Sequence, residues 1–353
     1  MPKRISDPKK RVKREDVAVE AGVSTATVSY VLNRTKRLSP EVEQRVLETA
    51  ARLNYIPNRI AQSLARNKTN ALALITADIT NVYQLDVIKG LQAEALKNDY
   101  IVYIFDAFGD VSKYIKHLIS TRVDGIFVSA APDFLSDEQL CELRDADIKV
   151  LTDFSRSTYL PDVSYIMSDM YDGFLQAVEY LKSLGHSRIG YLSAFDDSCY
   201  YDTRLSAFRT AMRRAFNNSV PCIEYGSWPY SSSEELGGRL MEQMLEKHPD
   251  VTAVIATNDL MAIGAMKAAQ NMGLDVPGKI SVIGVDNIDK SSVCDPPLTT
   301  LDQCGKEYGK KIFHVLHENI CEQTSGKYVI PMRLICRGST GPAFSEQLKK
   351  IMG

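Results

Sequence analysis

Short apolar runs alternate with amphipathic segments along most of this chain, and the alternation begins abruptly after Asn70. ALALITA (71–77), YIVYIF (100–105), VDGIFVSA (123–130) and IKVLT (148–152) each read as a strand buried on both faces. Between them lie helical segments starting near Val82, Val111 and Leu135. The rhythm restarts after Asp169 with a helix to Gly185, then RIGYLSA (188–194), a helix from Thr203 and PCIEYG (221–226). A helix from Ser233, VTAVIAT (251–257), a helix from Leu260 and ISVIGVD (280–286) complete it. The pattern predicts two similar α/β halves, each with a parallel sheet covered on both faces. Ligands of open sheets bind outside the carboxyl ends of the strands. Polar residues directly after apolar runs, here Asp78, Asp153, Asn258 and Asp286, are therefore candidate site residues.

Ahead of Asn70 the period is helical. Arg14 to Ala21 can form a short helix burying Val17, Ala18 and Ala21, and Gly22 permits a reversal. Ser24 suits the N-cap of a second helix reaching Asn33. Its apolar set is Ala26 and Val28 with Val31 and Leu32, which leaves Thr25, Thr27, Ser29 and Tyr30 as an uncharged, hydroxyl-bearing face. Ser39 as N-cap, Pro40 at the first helical position and Glu41 signal a third helix through Val46 and Ala50, ending near Asn54. This is the helix-turn-helix arrangement, whose second helix can enter a major groove; a small helical bundle without a ligand has the same pattern. In NYIPNRIAQSLARNKTN (54–70), Ile60, Ala61 and Leu64 share one side of a segment too short to be stable alone. Such a segment needs a partner, either its own copy or a nucleic-acid groove.

Charge sharpens the division. The net charge of -2 conceals 15 Lys+Arg against 7 Asp+Glu in residues 1–70, a balance of +8, and 27 against 37 in the remainder, a balance of -10. A basic head on an acidic body suits one module that meets a polyanion. The 353 residues, 44% hydrophobic and 24% charged, are enough for full-sized cores. Seven scattered cysteines include no Cys-x-x-Cys pair, so neither a disulfide framework nor a zinc knuckle is indicated, and no cofactor or metal is called for. Reduced thiols, an N-terminus lacking the apolar stretch of a signal peptide, and no run approaching the roughly 20 residues of a membrane span lead to the expectation of a cytoplasmic protein without a membrane partner.

The strings DVAVEAGVSTATVSYVLN, LNYIPNRIAQSLAR, RVDGIF, LGHSRIGYL, TNDLMAIGAM, VPGKISVIGVDN and PPLTTLDQ resemble, in order and spacing, the lactose-repressor family of bacterial transcription regulators, over roughly residues 12–340. The resemblance implies a helix-turn-helix head (1–57), a hinge helix and linker (58–69), a two-lobed core like periplasmic sugar-binding proteins (70–340) and a tail (341–353). Lobe one would take about 70–166 and 303–328, lobe two about 167–302 and 329–340. Implied with it are a homodimer on double-stranded operator DNA, a hinge helix in the minor groove, and a small effector between the lobes that changes DNA affinity. A sugar is the expected effector. A nucleobase-responsive regulator, a phosphorylated co-regulator protein and a cytoplasmic sugar-binding protein are the alternatives.

Carried over position by position, the base-reading residues are Thr25, Ala26 and Tyr30, and phosphate contacts include Ser24, Thr27, Ser29 and Asn33. In the hinge, Asn58 and Ala61 join Leu64, the residue matching the leucine that wedges between base steps. Effector contacts fall on Tyr83, Asp153, Arg204, Trp228, Asn258, Asp286 and Gln303. Carboxylates, amides and a guanidinium suit the donors and acceptors of a polyhydroxylated ligand, and an aromatic ring can cover its apolar face. On residue chemistry alone, Asp153, Asn258 and Asp286 could equally be caps satisfying backbone N–H groups, Trp228 a packed aromatic, and Arg204 a surface ion pair.

Three departures stand out. Lys13 replaces the usual Thr or Ser cap, Glu15 puts an anion where an aromatic or Lys often touches phosphate, and Tyr30 replaces an Arg. Tyrosine cannot make arginine's bidentate pair with guanine. The loop after the second strand is short, and no leucine-rich segment follows Gly341, so a tetramer through a C-terminal bundle is not expected. Enzyme motifs fail on inspection. GKEYGKK (305–311) misses the phosphate-loop spacing, HENIC (317–321) lacks the second His of a zinc protease, and GHSRIG (185–190) is too long for a nucleophile elbow.

Overall fold

The computed structural model describes residues 12–33, 36–56, 68–76, 79–107, 109–129, 135–153, 160, 162–199, 202–217, 221–227 and 232–343. The chain divides into two compact units at Asn70/Ala71.

In the first unit, α1 (Arg14–Ala21), α2 (Thr25–Asn33) and α3 (Pro40–Arg52) close on Val17, Ala18, Ala21, Val28, Val31, Val46 and Ala50. Gly22 ends α1 at φ 64, and the next N–H, from Val23, donates to Ala18 O at 3.0 Å. A left-handed residue is needed there, and glycine takes that conformation without steric cost. The missing cap at Lys13 is offset three residues on, where the Asp16 carboxylate accepts the Lys13 N–H at 2.7 Å. Ser24 does cap α2, accepting the Thr27 N–H at 3.1 Å. Three expectations are corrected here. Ser39 occupies the N-cap position of α3 but accepts no helix N–H, because Pro40 and the acidic first turn already suit a helix start. Helix α3 stops at Arg52 instead of near Asn54. Ala26 is exposed, so Val28 and Val31 carry the buried face of α2.

The second unit holds two six-stranded sheets. The first contains β1 (Ala71–Thr76), β2 (Ile101–Asp106), β3 (Gly125–Ser129), β4 (Lys149–Thr152), β5 (Val163–Ser168) and β11 (Lys327–Ile330), in the order β11-β5-β4-β3-β1-β2, parallel throughout. The second contains β6 (Ile189–Ser193), β7 (Cys222–Tyr225), β8 (Ala253–Ala256), β9 (Ser281–Val285), β10 (Thr299–Asp302) and β12 (Arg333–Ile335), in the order β12-β10-β9-β8-β6-β7. Here β12 runs antiparallel to β10, a correction to the expected all-parallel sheet. A strand entered by a short crossing from the other lobe, with no helix between, has no room for a parallel return.

Central strands are buried on both faces because alternate side chains serve different layers. On β1, Ala71, Ala73 and Ile75 enter one core and Leu72 and Leu74 the other. On β8, Ala253 and Ile255 face one layer and Val254 and Ala256 the opposite one. The helices framing the site are α4 (Val82–Lys97), which follows β1, α8 (Thr203–Ala215), which follows β6, and α10 (Asp259–Asn271), which follows β8. Polypeptide passes between the sheets after Ser168, after Asp302 and after Ile330. Strands β5 and β11 therefore each extend two residues beyond the lobe-one limits of 166 and 328.

Candidate effector crevice and DNA-reading helix

Lobe two contributes a charged cluster at its strand ends. Asp202 caps α8, its carboxylate accepting the Leu205 N–H at 2.9 Å and the Ser193 hydroxyl at 3.1 Å. Arg204 stands in the first turn that this cap organises. Its guanidinium donates to Thr257 O at 2.5 Å and to Asp286 Oδ1 at 3.2 Å. Gln303 Nε2 donates to the same Oδ1 at 2.6 Å. Asp286 follows β9 at φ 111, a backbone conformation that costs a non-glycine residue of order 1–3 kcal/mol and persists where surrounding contacts enforce it. Burial pushes the Asp286 carboxyl up, and Arg204 and Gln303 oppose that shift. Arg204 is thus a partner of a buried carboxylate and not a surface ion pair.

Asn258 does cap a helix, accepting the Met261 N–H at 3.0 Å. Asp259, beside it, was not foreseen. Its carboxylate accepts the Thr300 hydroxyl at 2.6 Å and the Ile288 N–H at 2.8 Å, and burial followed by the Asp286 charge pushes its pKa up to about 8.

Lobe one supplies Asp153 at the end of β4 and Tyr83 in the first turn of α4. Asp153 caps no helix among the described residues. It accepts the Ser129 hydroxyl at 2.6 Å, and Ser129 in turn accepts from Gln84 Nε2 at 2.7 Å. The Tyr83 phenol is held up first by burial and then by the Asp286 charge, with smaller effects from Arg204 and Asp153. Tyr83 of lobe one therefore lies close enough to Asp286 and Arg204 of lobe two, and to Asp153 of its own lobe, to feel their charges. Trp228 lies outside the described residues. Sequence reasoning passed over Gln84, Ser129, Asp202 and Asp259. Serine at the end of a strand and Gln after the aromatic of a first turn carry no pattern of their own.

Burial raises the Asp153 pKa from 3.8 to about 7, with the Ser129 hydrogen bond opposing. A carboxyl that binds its proton more tightly when folded keeps its full stability only below the unfolded pKa. It loses stability as pH rises through the folded value. Asp153→Asn retains an acceptor for Ser129 and cannot ionise, so it should be more stable than the parent at about pH 8 and lose that advantage toward about pH 4.5. Denaturant melts of both proteins across that range check this; an advantage independent of pH would refute it.

On the first unit, α2 turns Val28 and Val31 inward and leaves Ala26 exposed and Tyr30 40% exposed. Tyr30 is therefore not a core residue, and Lys36 Nζ stands 5.8 Å from its ring centroid. Thr25, Thr27, Ser29 and Asn33 are half-buried, with Ser24 and Thr27 hydroxyls 2.9 Å apart and Asn33 Nδ2 donating to Ser29 at 3.1 Å. These contacts hold a polar face in fixed rotamers. Asn58, Ala61 and Leu64 lie outside the described residues.

Two parts of the chain match known protein families. Residues 15–58 match the lacI family of bacterial regulatory proteins, and residues 178–340 match the periplasmic binding protein-like domain. The transcriptional repressor PurR of Vibrio vulnificus is 33% identical over 329 residues, covering 90% of this chain and 95% of that protein. CytR of Escherichia coli, also a transcriptional repressor, is 32% identical over 337 residues, covering 92% and 95%. The lac repressor dimer bound to operator and the anti-inducer ONPF superposes with a TM-score of 0.80 at 30% identity, covering 94% of this chain and all of that one. With a helix-turn-helix head, a two-lobed core and relatives of this extent, the chain belongs to the lacI family of bacterial regulatory proteins, as a DNA-binding transcriptional repressor with an effector-binding core.

Proposed function

We propose that two copies of this chain pair on a two-fold operator and that a sugar, bound between the core lobes, sets operator affinity. Thr25, Ala26 and Tyr30 read bases, Ser24, Thr27, Ser29 and Asn33 meet phosphates, and Asn58, Ala61 and Leu64 of the hinge enter the minor groove. In the core, Tyr83, Asp153, Arg204, Asn258, Asp286, Gln303 and Trp228 hold the effector.

The observation that carries the effector reading is the shared carboxylate. Asp286 Oδ1 takes both Arg204 and Gln303, and the same cluster reaches Tyr83 of the other lobe. A ligand that hydrogen-bonds to this cluster engages both lobes at once, and it can shift a lobe equilibrium only by its differential affinity for the two arrangements. Hydroxyl groups, which both donate and accept, suit such a mixed set.

The test uses the full chain. Operator sequences are selected from a random duplex pool, and affinity for the selected operator is then measured with and without neutral sugars and free nucleobases. The expected result is a change of about tenfold or more, equivalent to about 1.4 kcal/mol, with a sugar. A response to nucleobases alone would replace the sugar reading, and no response to either class would overturn it.

A further inference from the structure

Directly after β9 the backbone of lobe two turns through two consecutive non-glycine residues of positive φ, Asp286 at 111 and Asn287 at 56. Such backbone persists only where its surroundings enforce it. The Asp286 N–H still belongs to the sheet, donating to Leu301 O of β10 at 2.9 Å. The next two N–H groups leave the sheet, and side chains meet both. Asn287 N–H donates to Thr300 Oγ1 at 3.3 Å, and Ile288 N–H donates to Asp259 Oδ2 at 2.8 Å. Thr300 and Asp259 are in turn joined, hydroxyl to Oδ1, at 2.6 Å.

Both residues are fully buried. Asp259 opens α10, and Thr300 stands on β10 in register with Gly284 of β9. Gly284 supplies the space this arrangement needs, since a Cβ there would strike the Asp259 carboxylate. A third hold comes from Arg337, whose Nη2 donates to Asn287 Oδ1 at 2.6 Å and whose Nη1 donates to Leu298 O at 2.8 Å. The raised pKa of Asp259 does not loosen the grip. With or without its proton the carboxyl keeps one oxygen for the Ile288 N–H, and the other can take the Thr300 proton or give its own.

We infer that Asp259 and Thr300 are positioning residues for effector recognition: by holding the Asn287 and Ile288 N–H groups they fix the turn that aims the Asp286 carboxylate at Arg204 and Gln303. This rests on the proposed crevice and adds two residues that act through Asp286. Asp286 Oδ1 stands 3.2 Å from Arg204 and 2.6 Å from Gln303. Hydrogen bonds weaken steeply with distance and angle, so a turn that relaxes by a fraction of an ångström spoils the shared acceptor.

Isothermal titration of the full chain with D-ribose, D-glucose, adenine and adenosine selects a probe, and the variants are titrated with it. Thr300→Val keeps the volume and removes the hydroxyl, whereas Thr300→Ser keeps the hydroxyl and removes the methyl. The expected result is that Thr300→Val weakens the probe by about tenfold and Thr300→Ser binds as the parent does. A packing role predicts the opposite order, because serine leaves a cavity in a buried site and valine does not. Asp259→Leu should weaken the probe by about tenfold, and Asp259→Asn, which retains an acceptor for Ile288 and a group for Thr300, should restore it. Backbone hydrogen exchange at 287 and 288 reads the grip without ligand, and it should quicken in Thr300→Val and not in Thr300→Ser. Parental binding by Thr300→Val, weaker binding by Thr300→Ser than by Thr300→Val, or unchanged exchange overturns the inference. A parent that binds none of the four probes, or an Arg204→Ala protein that binds like the parent, overturns the crevice reading and with it the link to the effector, while the exchange rates still decide the grip; the two failures are thereby distinguished. Thr300→Ala, which differs from Thr300→Ser by the hydroxyl alone, replaces a Thr300→Val protein that melts early.

Discussion

Arg204→Ala is expected to abolish the effector response while leaving operator binding intact. The guanidinium is the positive partner of a carboxylate whose side chain is 5% exposed, and it also donates to Thr257 O. Truncating one member of a buried, hydrogen-bonded charge pair costs about 2–5 kcal/mol, much of it from the charge left behind. Burial already pushes the Asp286 carboxyl up and Arg204 is the strongest influence against that shift, so removing the guanidinium raises it further and alters the hydrogen-bonding pattern presented to the ligand. The measurement is operator affinity with and without the effector identified by the panel. An Arg204→Ala protein that responds at the parental ligand concentration would show that the crevice is wrongly assigned. The first unit has its own hydrophobic core and does not report on the unit that holds Arg204, so the variant's melting temperature is the control for folding.

Tyr30→Arg is expected to impose a guanine preference at one step of each operator half-site. Tyr30 stands on the exposed side of α2, with Val28 and Val31 as the buried residues. A tyrosine ring can lie against a thymine methyl and its hydroxyl can make one hydrogen bond, whereas arginine pairs with O6 and N7 of guanine through two. The gain should be about 1–3 kcal/mol of discrimination at that base pair, with other positions unchanged. Selection from a random pool with parent and variant measures it directly. Because the residue does not contribute to the core of the head, the variant should fold. An unaltered preference in a folded variant would mean that this face does not read bases.

The head was nearly legible from the sequence, for a local reason. Gly22 in a left-handed turn, Ser24 capping α2 and Val17, Ala18 and Ala21 buried on α1 are all decided within a few residues of chain. Where the reading erred, at Ser39 and Ala26, the deciding factor was what lay opposite. A cap is used only if a free N–H points at it, and an alanine is buried only if a neighbouring helix covers it. Lys13 shows the same logic reversed, since the missing cap is made good by Asp16 three residues later.

The core divides similarly. By itself the sequence determined the strand and helix alternation, because a central parallel strand must be apolar on both faces and a run such as ALALIT has no other stable place. It also determined, through the order of its motifs, the family, and marked Arg204, Asp286 and Gln303 as candidates. Only the tertiary structure decided that Asp286 Oδ1 is shared by Arg204 and Gln303, residues 82 and 17 positions away along the chain. The same holds for the Thr300 and Asp259 side chains that meet the Asn287 and Ile288 N–H groups, and for the antiparallel strand β12 at the edge of the second sheet. Periodicity records which face of an element is buried. It carries no record of which polar atoms meet across elements, because hydrogen bonds depend on distances of about 3 Å set by the packing of segments remote in sequence.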